Sequence, residues 1–194
     1  MVKIDLHIHT KKCKQGDSKK RNIKPTEFIE KMNNHNIGIC AITNHNKFDI
    51  EEFLEINNSD KNFIIFPGIE LDVSIRGNNR HIILLADPEQ VLLFKKEFDE
   101  ENRNYDSFRI EYNDLLDKIK KFKSNQIIII PHFLDKDKER SITVDEKNRL
   151  QNDLKDYSVI LEPKLKTMGI INNHDEISLI GSDVNDWDNY SDYF

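Results

Sequence analysis

Cysteine is scarce. The 194 residues hold two, Cys13 and Cys40, far apart and without a CxxC partner. They cannot build a disulfide framework or a paired-thiol motif. Long apolar runs are also missing. The longest uncharged ones, such as residues 127–131, fall far short of the roughly 20 residues that span a bilayer. The N-terminus reads Met1-Val2-Lys3-Ile4-Asp5, with an acid and then two histidines where a signal peptide would be apolar. A reducing, cytoplasmic setting is therefore expected, with no membrane partner. Excess positive charge is absent too: 29 Lys+Arg against 35 Asp+Glu leave a net charge of -6. That balance excludes a surface that coats nucleic acid or anionic lipid all over, but leaves room for one basic patch. There is no internal repeat, no linker-like stretch, no phosphate-cradling P-loop and no Ser/His/Asp order. Hydrophobic residues make up 37% of the chain, which suffices for one well-filled core, and one domain is expected over residues 1–194.

What is present is a recurring block. Seven short apolar or β-branched runs cover residues 2–7, 37–43, 63–69, 81–86, 126–131, 158–161 and 177–181. Several are continuously apolar, as strands covered on both faces are. Helix-compatible segments lie between most of them, at 25–36, 49–56, 89–101, 108–122 and, more weakly, 144–155; residues 164–172 are ambiguous. The first has Pro25 near its start, Phe28, Ile29 and Met32 on one face, and Gly38 just past its end. Alternation of this kind predicts an α/β fold with a mostly parallel sheet, and periodicity does not choose between an open sheet and a barrel. The alternation breaks once. Only Ile75-Arg76-Gly77-Asn78-Asn79 separates the third run, extended to residue 74, from the fourth, which suits a hairpin rather than a helical crossover.

In α/β folds the site lies at the carboxyl ends of the strands. The runs end in Asp5-Leu6-His7-Ile8-His9-Thr10, in Thr43-Asn44-His45-Asn46, in Pro67-Gly68-Ile69-Glu70, in Pro131-His132-Phe133 and in Gly181-Ser182-Asp183-Val184-Asn185. Four of the seven histidines fall at these ends, and the hairpin would fold a fifth, His81, across from Glu70. His7 and His9 are two apart on an extended segment and so point to one side. Singly, each residue has a bland reading. A strand-end histidine is usually solvated, Glu70 could pair with Arg80, and Asp183 could cap a helix. Together they suit a divalent cation, because imidazole and carboxylate favour Zn2+, Mn2+ and Fe2+. His35 and His174 do not share the pattern.

These ordered motifs resemble the PHP (polymerase and histidinol phosphatase) family along nearly the whole chain. The resemblance implies a distorted (β/α)7 barrel, two or three divalent metal ions (Mn2+, Zn2+ or Fe2+), and hydrolysis of phosphate mono- or diesters. It implies that His7, His9, Glu70 and Asp183 hold one ion. Glu70 would bridge to a second, bound by His81 and His132. A third would use His45, an early acid and a histidine two residues beyond Asp183. Here the chain departs from the pattern: Asn185 stands at that last position, the nearest early acid is Asp17, and Asn44 replaces the usual Asp beside His45. Two ions about 3.5–4 Å apart can clamp the phosphoryl oxygens of an in-line displacement. Ligand histidines must be neutral, so activity should fade below roughly pH 6.

The loop after the first run, Lys11 to Arg21, carries six basic residues out of eleven. Its bland reading is a solvated charge run. Its functional reading is an anion funnel built on Lys11, Lys12 and Lys14, drawing in a phosphorylated small molecule or a nucleic-acid end. Arg76 and Arg80, on the hairpin, are candidates for a phosphate clamp. The loop has few aromatics on which bases could stack, so single-strand readout is not evident. A phosphoesterase with nuclease capability on DNA or RNA, as part of an anti-phage or DNA-repair complex, is the second enzymatic reading. A ligand-depleted PHP scaffold is the competing class, favoured by Asn44 and Asn185. Only eleven residues follow Asp183. Trp187, Tyr190, Tyr193 and Phe194 there suit either a tail that docks a partner protein or a second copy of the chain, or simple packing against the barrel.

Overall fold

Isoleucine-rich strands pair into one twisted layer whose direction is broken once. The computed structural model describes residues 2–99, 103–134, 136, 139–167 and 176–193. The strands are β1 (Lys3–Ile8), β2 (Ile37–Ile42), β3 (Ile64–Ile75), β4 (Asn78–Ala86), β5 (Ile110–Glu111), β6 (Ile127–Pro131) and β7 (Ser158–Val159). They form a seven-stranded sheet in the order β1-β2-β3-β4-β6-β7, with β5 beside β3. β4 is antiparallel to both its neighbours, and all other pairings are parallel.

The hairpin is tighter and longer than its sequence suggests. Its ladder runs from Gly68 opposite Leu85 to Ile75 opposite Asn78. The loop shrinks to Arg76 and Gly77, with φ of 52° and 80°. Positive φ at both central residues is what a two-residue turn needs to match the strand twist. His81 consequently faces Asp72 directly, two positions along the ladder from Glu70.

The helices given in full by the described residues are α1 (Pro25–Asn34), α2 (Ile50–Asn57), α3 (Val91–Phe98), α4 (Tyr112–Ile119) and α5 (Val144–Asp153). Pro25 sits in the first turn of α1, and Phe28 and Met32, four apart, are its buried residues. The reversal after α1 is made by Asn36 at φ 55°, not by Gly38. Gly38 instead makes room for Val2, whose Cγ1 would stand 2.6 Å from a Cβ there. Asp49 caps α2 by accepting from Glu52 N, and Thr143 with Glu146 forms a reciprocal capping box on α5. The expected helix over 108–122 is shortened, because Ile110 and Glu111 pair with Val73 and Ser74 as β5. Of the ambiguous stretch 164–172, residues 168–172 lie outside the described residues.

Alternate residues of β4 feed two apolar clusters, which places the clusters on opposite faces of the sheet. Ile82 and Leu84 join the large one with Phe94, Phe98 and Leu115, while Ile83 and Leu85 join a small one with Leu6, Ala41 and Ile130. The run at 177–181 is not a regular strand. It makes one bridge, Leu161 to Ser178. The strand pairings among the described residues form a sheet that does not close on itself. Residues 176–183 nevertheless touch both ends of the order: Leu161 N donates to Ile177 O at 2.9 Å and Asp183 N to His7 O at 2.8 Å. After them, Trp187 and Tyr190 are buried, and the Tyr190 hydroxyl donates to Asp5 Oδ2 at 2.9 Å. These two rings are core, not a docking tail; Phe194 and the Tyr193 side chain lie outside the described residues. Among the described residues no helix is long and apolar enough to cross a membrane.

Candidate metal centre

Reversal of β4 brings its first residues to the rim where β1, β2, β3 and β6 end. Ile82 pairs with Pro131, and His132 N donates to His81 O at 3.1 Å. Five imidazoles meet there. Their centroid distances run around a closed ring: His7–His9 5.0 Å, His9–His45 4.5 Å, His45–His81 5.4 Å, His81–His132 5.2 Å and His132–His7 5.3 Å. Glu70 stands at its centre. Its Oε2 lies 3.2 Å from His7 Nε2, 3.2 Å from His9 Nε2 and 2.9 Å from His45 Nε2. Its Oε1 contacts His81 Nδ1 and lies 3.3 Å from His132 Nε2. Asp183 reaches the same group, with Oδ1 3.2 Å from His9 Nε2 and 3.7 Å from His7 Nε2.

Local backbone geometry aims these side chains. A register irregularity between Asp5 and Ile8 sits where His7 leaves β1. Asp183 adopts φ 47°, and Asn46 and Leu134, just past His45 and His132, adopt 54° and 44°. Non-glycine residues pay for that region with strain, which gathers at sites where side chains must be redirected. Gly181 is required for contact: a Cβ there would lie 2.3 Å from His7 Cβ.

Three of the imidazoles are backed by a carboxylate on the nitrogen away from Glu70. Glu162 lies 2.9 Å from His7 Nδ1, Asp72 lies 3.0 Å from His81 Nε2, and Asp17 lies 2.9 Å from His45 Nδ1. A carboxylate so placed takes the ring N–H and turns the opposite lone pair inward, the arrangement found behind metal-bound histidines. The charges follow. Burial disfavours the His7 cation, yet Glu162, Asp183 and Glu70 outweigh it and hold His7 well above the ordinary histidine range. Glu70 and Asp72 do the same for His81 against its burial. Burial dominates at His9 and His132 and lowers both. Burial alone would raise Glu70, but His81, His45 and His7 hold it well below the usual carboxylate range.

The residues present fit a divalent cation. His7, Glu70 and His132, then His7, His9 and Asp183, and then His9, His45 and Glu70 each offer ligand atoms within 4.8 Å of one another. His9 Nδ1 and His132 Nδ1, both buried, have no hydrogen-bond partner. Such orphaned buried groups are rare unless something binds them. His7 Nε2 and His9 Nε2 stand 3.1 Å apart. Two donors on one tetrahedral ion, each about 2.0–2.1 Å from it, would stand roughly 3.3 Å apart.

The remaining candidates divide. Asp17 reaches the His45 side through its loop, held by Cys13 N and Lys14 N at 3.0 and 2.8 Å. It backs His45 rather than joining the groups around Glu70. Lys14 reaches the site and pairs with Asp72. Lys11 does not: its ammonium lies 2.5 Å from Asp49 and 3.7 Å from Glu52. Lys12 donates to Gln15 O at 2.9 Å, within its own loop. Arg80 is held by Glu146 at 2.9 and 3.2 Å, and Arg76 is exposed on the hairpin turn, so neither clamps anything at the metal centre. Asn44 ties loops together, accepting from Thr10 N and Lys11 N at 2.9 and 3.1 Å.

Sequence reasoning missed Glu162, Asp72, Lys136 and Arg21. Glu162 ends the sixth run, so the rule that found the others also points to it. Asp72 lies two residues beyond Glu70, inside the third run as extended to residue 74. Lys136 sits in a turn, its ammonium 3.3 Å from Glu162 and 3.8 Å from Asp183. Beside His45 opens a polar cavity of about 350 Å3, lined in part by Lys14, Arg21, Asp72, Asn79 and Arg109.

No family model and no curated protein matches the chain. Solved structures do match, over most of its length. One, from Bifidobacterium adolescentis and proposed as a metal-dependent phosphoesterase, superimposes with a TM-score of 0.59 at 11% identity, covering 98% of this chain and 95% of that one. Another is an amidohydrolase from Chromobacterium violaceum, with bound sulfate and no metal. It gives 0.60 at 15% identity, covering 95% of this chain and 88% of the other. At these identities the likeness is one of fold.

Proposed function

We propose that this chain is a metal-dependent phosphoesterase of the PHP type. Its sheet would be a barrel derivative in which residues 176–183 fill the gap between β7 and β1. The observation that carries the proposal is the ring of five buried imidazoles around Glu70, three of them backed by carboxylates. The two structural neighbours, one proposed as a phosphoesterase, support it. In this reading His7, His9, Glu70 and Asp183 hold one divalent ion, and Glu70, His81 and His132 hold a second. Ions bound there would supply Lewis-acid stabilisation of the charge that builds on phosphoryl oxygens. Glu162, Asp72 and Asp17 fix the tautomers of His7, His81 and His45. Lys136 and Arg21, fixed cations at the rim, orient the anionic phosphate group through charge-assisted hydrogen bonds.

A small phosphate ester suits the cavity better than a stacked nucleic-acid end. Among the described residues lining it none is Phe, Tyr or Trp, and its volume matches a small polar molecule. The test is a panel of phosphomonoesters, phosphodiesters and single-stranded DNA with Mn2+, Zn2+ or Fe2+, run beside His7→Ala/His9→Ala. Metal-dependent turnover of small esters, lost in the variant, is expected. Turnover of DNA alone would turn the reading to a nuclease. Tight metal binding with no turnover of any substrate would make the chain a metal-binding scaffold.

A further inference from the structure

Asp17, His45 and the side chain two residues past Asp183 are the groups that a third ion would need. Asp17 and Asn185 are already bonded to one cation, the guanidinium of Arg21, and His45 Nδ1 lies beside it. Arg21 Nε donates to Asn185 Oδ1 at 2.8 Å. Its Nη1 donates to Asp17 Oδ1 at 3.3 Å and lies 3.1 Å from His45 Nδ1. Its Nη2 donates to Asp183 Oδ1 at 3.2 Å. The Arg21, Asp17 and His45 side chains are buried, whereas Asp183 is partly exposed and Asn185 exposed.

The position is built from several directions. Ser18 caps the single helical turn that carries Arg21, and Trp187 Nε1, buried in the core, donates to Arg21 O at 2.9 Å. A guanidinium keeps its charge at any working pH and presents a planar fork that two carboxylates can share. A dication placed among Asp17, His45 and Asn185 would lose the Asp17 oxygen to the fork and be repelled by it. Asn185 fits this arrangement and not an ion, because a neutral amide oxygen accepts from Nε–H but is a poor ligand for a transition metal.

We propose that Arg21 stands in the place of a third metal ion and limits the chain to two. The inference rests on the metal-centre reading and refines it: the third positive charge facing the substrate is a fixed organic one. It lines the cavity wall beside His45. A phosphate group would thus meet two exchangeable cations and one that no chelator removes.

Metal counting tests this without any assay of activity. The wild type, Asn185→His and Arg21→Ala/Asn185→His are equilibrated with excess Mn2+, desalted, and read by native mass spectrometry. Two ions per chain are expected for the wild type and for Asn185→His, and three for the double variant. Should the double variant lose its far-ultraviolet circular dichroism, Arg21→Gln/Asn185→His replaces it, keeping an amide donor in the fork's place. Three ions in the wild type overturn the inference and leave the metal centre standing. So does a folded double variant that stays at two. A wild-type count of zero overturns the metal centre, and the inference with it.

Discussion

Gly181 offers the sharpest structural test, because it lies where residues 176–183 press against β1. An alanine there would set its Cβ 2.3 Å from His7 Cβ, 3.0 Å from His7 N and 3.1 Å from His7 Cα. Ordinary carbon contacts are about 3.5–4.0 Å, so the segment or the strand must retreat by roughly 1 Å or more. Neither wall is a flexible side-chain end that could swing aside. Retreat would strain three bonds that hold the segment: Gly181 N to Glu162 Oε1 at 3.2 Å, Ser182 N to Asp5 Oδ1 at 3.0 Å and Asp183 N to His7 O at 2.8 Å. Overpacking costs about 1–3 kcal/mol, and each bond lost adds about 1 kcal/mol. For a chain of this size a total of about 2–4 kcal/mol lowers the Tm by roughly 5–15 °C. His7 and Asp183 are displaced relative to Glu70, so Mn2+ affinity should fall by at least about tenfold, as it does when groups that orient ligands are lost. Differential scanning fluorimetry and a competitive chelator titration read the two effects. Gly16→Ala is the control, since a Cβ there meets nothing within 4 Å. If Gly181→Ala matches the wild type in both Tm and Mn2+ affinity, the segment does not abut His7, and the placement of Asp183 fails with it.

Glu162→Gln should weaken Mn2+ binding by about 10–100-fold, because the amide keeps one acceptor oxygen but loses the negative charge that orients His7 through its ring N–H; an unchanged affinity in the chelator titration would mean that Glu162 does not act through that ring. Lys14→Ala should raise KM several-fold, most at low salt, whereas Lys11→Ala should leave KM alone, since Lys11 is tied to Asp49 and Glu52 away from the cavity. Equal effects of the two substitutions on KM would restore the whole loop as a funnel. Asp49 caps α2, and although burial alone would raise its pKa, the Lys11 hydrogen bond and the Glu52 N–H lower it to about 2. A carboxylate depressed in the folded state contributes stability above its unfolded pKa of about 3.9 and loses it as pH falls toward the folded value. The stability gap between wild type and Asp49→Ala, about 1 kcal/mol at pH 6 for a lost cap, should therefore narrow by pH 3 in urea titrations, and a gap that widens on acidification would contradict the pairing.

The strands with continuous apolar runs were legible because burial on both faces needs nothing but hydrophobicity. Ile127–Pro131 and Ile37–Ile42 fall close to their expected bounds for that reason. The reversal at Arg76 and Gly77 was visible as a short spacer, and the twelve residues of β3 fall one position from the extended third run, 63–74. Val73 and Ser74, paired with Arg80 and Asn79 across the hairpin, gain their second partners from Ile110 and Glu111, a pairing of distant segments that no local pattern records. The stretch at 177–181 reads as a strand but makes only one bridge, since its neighbours are a two-residue strand and the irregular end of β1. Within the metal centre, residues at strand ends announced themselves. Arg21 did not, because one basic residue among six in a loop carries no sign that its side chain turns inward. Arg80 misled for the opposite reason: its place beside the hairpin says nothing of Glu146, which α5 brings to it from 66 residues away.

Diffraction from crystals equilibrated with Mn2+, recorded across the manganese absorption edge, tests the central claim most directly. Two anomalous peaks are predicted inside the imidazole ring, one beside His7, His9 and Asp183 and one beside His81 and His132, with Glu70 between them and the Arg21 guanidinium in place. No peak within bonding distance of those nitrogens at saturating Mn2+ would contradict the account.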